Sequence, residues 1–205
     1  MKNNHGFILP DGIDIPDTSG LKNAYAQTGD GTFAALLGAD RLAEFMSDFT
    51  ELIPEPVFFF LELPCSAEEE KELRRSESDP FHYKLYYLDN CTHPVIRALI
   101  KDYGSMLIND GICRFGFGGN VSGDELYVQS YKVMSIYCSD EKRTAAAKKL
   151  LGKHGAERVE ELVTPWDIIS KDNPGTCVRA EEDGICLYDL PEMFKKAGMY
   201  YAETI

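Results

Sequence analysis

The chain has 205 residues, with 34 Asp and Glu against 21 Lys and Arg, giving a formal net charge of −13 with His neutral. A field of that sign repels DNA, RNA and anionic lipid unless a basic patch reverses it locally, and the sequence holds no such patch, so nucleic acid and membrane surfaces are excluded as expected partners. Hydrophobic residues at 44% and aromatics at 11% supply a core, which sets the chain apart from an acidic disordered tail.

Residues 1–31 contain five Gly and two Pro without a sustained hydrophobic period, and they read as an irregular leader with a short helix over 21–27. The apolar stretch Phe7-Ile8-Leu9 ends at Pro10, too short for the hydrophobic region of a signal peptide. No continuous apolar run, 57–61 among them, exceeds five residues against the roughly 20 that a bilayer requires. A cytoplasmic protein without a membrane span is therefore expected. No repeat, low-complexity tract or long linker divides the remainder, so 32–205 is expected to form one domain.

Within it, Phe33, Leu36, Leu37, Leu42, Phe45, Met46 and Phe49 recur at three and four, which predicts an amphipathic helix over 32–51 broken near Gly38. The segment 57–63 is apolar on both faces, as a central strand covered on both sides would be. Ser66 with Glu69 forms a capping box that opens a charged helix to about Arg75. Alternation over 81–88 predicts a strand with one wetter face. Thr92, then Pro94, then the stripe Ile96, Leu99, Ile100, Tyr103 and Leu107 predicts a helix ending at Gly111. Three strands follow over 112–117, 125–128 and 132–138, linked as an antiparallel meander. A helix is expected from Ser139 to Gly152, where Asp140 and Glu141 suit its positive end. A short helical piece is expected over 156–163, and a helical turn at Thr164-Pro165, with Trp166 as a plug in the core beneath it. Asp183-Gly184 predicts a hairpin between 176–180 and 185–188. A last helix from Asp189 to Gly198 and a strand over 199–203 complete the chain. The fold class is α+β: a mixed, largely antiparallel sheet with helices packed on its faces.

Motifs for chemistry are sparse. The six cysteines lie far apart, the closest pair being nine residues distant, and no CxxC occurs, which argues for buried thiols rather than zinc or disulfide chemistry. The four histidines match no ligand spacing. Neither a metal nor a cofactor is expected. Cys91 and His93, two residues apart at a strand-to-helix junction, are the catalytic candidates, because a helix N-terminus lowers a thiol's pKa. The glycine-rich run from Phe115 to Glu125 feeds a strand and lacks Lys-Ser or Lys-Thr, so it reads as a hairpin connection whose glycines permit positive φ, not as a phosphate loop. It nonetheless carries Asn120, Asp124, Glu125 and Tyr127 as candidate partner-binding residues. The acid runs 68–70, 160–161 and 181–183 read as solvated surface.

Two functional classes follow. The first is a non-catalytic binding module whose acidic surface docks a basic protein, with charge speeding association and aromatic side chains anchoring it. In size and charge the chain is similar in general character to the immunity proteins with which bacteria neutralise basic toxin nucleases. The alternative is a thiol- or carboxylate-based hydrolase or transferase built around Cys91 and His93 or around the Asp124 loop.

Overall fold

A computed structural model of the chain describes residues 7–205; residues 1–6 of the expected leader, His5 among them, lie outside it. In chain order the elements are β1 (Ile13–Asp14), β2 (Ala24–Gly29), β3 (Thr32–Leu36), α1 (Ala39–Thr50), β4 (Val57–Pro64), α2 (Ala67–Leu73), β5 (Tyr83–Cys91), α3 (His93–Asn109), β6 (Arg114–Gly119), β7 (Glu125–Val128), β8 (Met134–Tyr137), α4 (Glu141–Lys153), β9 (Glu157–Arg158), α5 (Pro165–Ile168), β10 (Thr176–Cys177), β11 (Glu181–Glu182), β12 (Ile185–Cys186), α6 (Leu190–Met193) and β13 (Tyr200–Thr204). Nine strands form one sheet in the order β13-β5-β4-β6-β7-β8-β3-β2-β9. Every pairing is antiparallel except β2 with β9. The expected α+β architecture, a mixed and mostly antiparallel sheet with helices against it, is the architecture observed.

Alternation along these strands divides the sheet into two unlike faces. One carries Phe33, Phe59, Leu61, Phe115, Phe117 and Ile136, each fully buried. Against them pack Leu42, Phe45, Met46 and Phe49 of α1, Ile96, Leu99 and Leu107 of α3, and Ala147 and Leu151 of α4. Each buried Phe, Leu or Ile contributes about 1.5–3 kcal/mol by leaving water, so this helix-covered face supplies most of the cohesion. The other face keeps contact with solvent across its middle.

Several local expectations are corrected. The segment 24–29 is a strand, not an irregular leader or a helix: Ala24, Tyr25 and Ala26 are buried between β3 and β9, and Gly31 at φ +69° turns the chain back into β3. The helix expected over 32–51 begins only at Ala39, because Phe33 and Ala35 point into the core with strand alternation while pairing with β2 and β8. The helical piece expected over 156–163 is instead β9, which adds to the sheet edge, and Val163 is exposed. Trp166 is 58% exposed and meets Tyr131 edge-on at 4.6 Å, so it plugs no core. Asp183 and Gly184 both take positive φ and close a hairpin, but between the short β11 and β12, while β10 pairs with β1. The capping box at Ser66 and the stop at Gly198, φ +104°, occur as the residues indicate.

Candidate functional site

The solvent-facing side of the sheet is built on a strand of glycines. Gly116 and Gly118 lie inside β6 opposite Phe60 and Phe58 of β4. A Cβ on Gly116 would sit 2.4 Å from Phe60 Cζ, and one on Gly118 would sit 2.3 Å from Phe58 Cζ. Neither glycine has positive φ; only Gly123 of this stretch does, at +73°. The expectation of glycines chosen for turn geometry is thus corrected for these two: the missing side chains let two phenyl rings lie across the backbone of the neighbouring strand. Phe60 is then flanked by Tyr87 at 6.0 Å and Tyr127 at 5.4 Å, and Phe58 meets Tyr87 at 5.6 Å. Tyr200 extends the tier from the edge strand, 6.2 Å from Tyr87 and 48% exposed.

Carboxylates are set into this aromatic surface. Glu62, buried beneath it, accepts a hydrogen bond of 2.8 Å from the Tyr127 hydroxyl, and its Oε2 lies 3.5 Å from Nη1 of Arg114. The Arg114 guanidinium in turn stacks over the Tyr83 ring at 3.7 Å. Burial, and the hydrogen bond to Glu62 that deprotonation would destroy, hold the Tyr127 hydroxyl well above its usual range. Glu125 is raised too, by burial first and then by the negative charge of Glu62. Neither an ion pair nor a side-chain hydrogen bond reaches it among the described residues. Tyr87 is raised by burial and then by the charges of Glu125, Glu62, Asp89 and Glu203, which places four acids around one ring. Asp89 accepts from the Tyr200 hydroxyl at 2.7 Å and from Asn120 Nδ2 at 3.3 Å.

Of the candidate partner-binding residues, Glu125 and Tyr127 lie on this face, and Asn120 stands at its rim, holding Asp89. Asp124 points the opposite way by strand alternation and is buried. It accepts from the Ser139 backbone N–H at 2.7 Å, and its Oδ2 lies 2.8 Å from Arg143 Nε, an ion pair whose N–H is not aligned for a hydrogen bond. Burial opposes its charge, but contacts with Ser122, Ser139 and Arg143 outweigh burial and hold the carboxyl below the ordinary range. Its assignment to a partner surface is corrected: Asp124 ties the β6–β7 link to the start of α4.

Cys91 and His93 do not converge. The Cys91 thiol is buried and donates to the Leu88 carbonyl at 3.5 Å. Desolvation, with the charge of Asp89, pushes it up to about 11. The His93 ring points elsewhere, with Nε2 donating to the Ile53 carbonyl at 2.9 Å and Nδ1 facing Glu51 and Glu55. A thiol so placed is a packing group. Cys91 is therefore expected to resist iodoacetamide at pH 7.5 while half-buried Cys65, Cys177 and Cys186 react; mass spectrometry of the alkylated native protein reads this directly. Rapid modification of Cys91 ahead of the others would contradict it.

Residue patterns had not singled out Phe58, Phe60, Glu62 and Tyr87 as site residues. One signal was present: Glu62 interrupts an otherwise apolar central strand, and a carboxylate there needs partners. Among the described residues, no group of three or more His, Cys, Asp and Glu is placed to hold a metal ion, and no helix is long and apolar enough to cross a membrane. Comparisons with protein-family models, curated proteins and solved structures return no match.

Proposed function

We propose that the chain is a non-catalytic binding module whose open sheet face docks a basic protein. The observation that carries this reading is the tier of partly exposed rings, Phe58, Tyr87, Tyr127 and Tyr200, set beside the Glu125 carboxylate, which no described residue pairs. Tyr and Phe are the side chains that anchor protein interfaces, since they bury large area at little entropic cost. The surrounding acids select a cationic partner and speed the encounter. A basic nuclease of the kind that immunity proteins neutralise is a partner of this chemistry. The reading is tested by affinity capture from the source cell, followed by binding measurements with the purified captured protein over a range of salt. A basic protein whose affinity falls steeply with ionic strength is expected; a neutral or acidic partner indifferent to salt would overturn it.

One observation favours a second reading, the carboxylate enzyme. Glu62 is supported by a hydroxyl and a guanidinium, whereas Glu125 is desolvated and unsupported, and carboxyls in contrasting surroundings suit acid and base roles. The two readings part on Glu125→Gln: an enzyme would lose turnover with its ligand affinity retained, while a docking module loses affinity.

A further inference from the structure

We propose that the partner presents an arginine side chain to a seat formed by Phe58, Tyr87 and the Glu125 carboxylate. This rests on the docking reading above and specifies the group that the face receives. The first ground is the placement of the seat. Glu125 stands opposite Gly118, which stands opposite Phe58, so only a glycine separates the carboxylate's strand from the strand bearing the phenyl ring. That ring lies over the glycine, which brings ring and carboxylate side by side. Tyr87 closes the far side, its ring 5.6 Å from Phe58 and inclined by 68°.

The second ground is that the same face already holds a completed version of this arrangement. Two rows along the same face, beyond the row of Phe60, Gly116 and Tyr127, Tyr83, Arg114 and Glu62 form a stack in which a guanidinium lies 3.7 Å over a tyrosine ring with a carboxylate at 3.5 Å from its Nη1. At Phe58, Tyr87 and Glu125 the ring and the carboxylate recur, and no cation among the described residues pairs with Glu125. A planar, weakly hydrated guanidinium stacks on a ring and faces a carboxylate at once, whereas an ammonium holds its water and addresses them as a point charge. The seat therefore favours arginine over lysine.

The test uses the full-length protein with two capped Gly-Ser peptides, one carrying three arginines and the other three lysines in the same positions. Calorimetry gives the affinities, and amide chemical shifts give the place. The arginine peptide is expected to bind about fivefold more tightly and to move the amides of Phe58, Tyr87, Gly118 and Glu125. Glu125→Gln should remove that preference without lowering Tm, since it deletes a desolvated charge that no described residue pairs. Phe58→Leu should weaken the arginine peptide more than the lysine peptide. Equal affinity of both peptides on this face overturns the arginine seat and leaves basic docking standing. Shifts elsewhere, or no binding of either peptide, also overturn the seat, and the docking reading then falls separately only if the captured partner is neutral or indifferent to salt.

Discussion

Gly116→Ala is expected to destabilise the protein by about 3 kcal/mol, through overpacking with little room to relax. The added Cβ would meet not only the Phe60 ring but also the Leu126 carbonyl oxygen, at 2.5 Å. A ring can rotate away; the backbone of a hydrogen-bonded neighbouring strand cannot move without disturbing the ladder. For a chain of this length the loss corresponds to roughly 6–12 °C in Tm. Gly118→Ala makes the instructive contrast, because all three of its nearest contacts are atoms of the half-buried Phe58 ring. It should cost less stability and more binding, since the ring that moves belongs to the docking face. Thermal melts of both variants check the pair, and a Gly116→Ala protein as stable as the parent would remove the close-approach explanation of the glycine strand.

The second large effect is expected at Asp110→Ala, with a loss of about 4 kcal/mol. Asp110 is fully buried, and its Oδ1 accepts from the Ile112 and Cys113 backbone N–H groups at 2.9 and 2.7 Å while its Oδ2 accepts from Ala180 N–H at 3.0 Å. The side chain thus fastens the segment after β10 to the turn between α3 and β6. Its removal leaves three peptide donors without their acceptor and deprives the buried Lys132 of a nearby negative charge. Lys132 is itself informative about pH. Burial lowers its pKa to about 8, with the charge of Asp110 opposing the shift, and its ammonium donates to the Cys113 carbonyl at 3.3 Å. Because the folded value lies below the unfolded value of 10.5, the unfolded chain binds more protons between about pH 8 and 10.5, and this group's contribution to stability rises with pH across that window. The stability of the native protein relative to Lys132→Met should therefore improve from pH 8 to 10.5 in denaturant titrations; an unchanged or falling difference would contradict the lowered pKa.

How much of this was legible in the sequence depended on whether a pattern was local. The capping box at Ser66, the Pro94 helix start, the Gly198 stop and the meander order of β6, β7 and β8 each rest on neighbours in sequence. Strand β3 was missed because Phe33, Leu36 and Leu37 happen to extend the helical spacing of Leu42, Phe45 and Phe49, whereas pairing with β2 on one side and the distant β8 on the other makes 32–36 extended. Strand β9 is two residues long and exists because β2 lies beside it. For the site, Glu125 and Tyr127 were found for the wrong reason, as parts of a glycine loop, since the register that sets Gly116 under Phe60 joins residues 56 apart. Asp124 was misassigned because its neighbour Glu125 faces solvent, and strand alternation sends adjacent acids to opposite sides of the sheet. Cys91 and His93 lie two residues apart in sequence yet diverge in space, because sequence spacing does not fix side-chain direction at a strand-to-helix junction.

On the docking reading, the open face, not the helix-covered side, receives the partner. Two charge reversals settle it against the captured basic protein: Glu125→Lys on the open face, and Glu44→Lys on the exposed side of α1. Both change the net charge equally, so long-range attraction to the partner weakens alike. Glu125→Lys is expected to reduce affinity by at least about a hundredfold, as a like charge placed in an interface centre does, while Glu44→Lys costs no more than a few fold through the long-range field. Equal losses, or a larger loss at Glu44, would contradict the account.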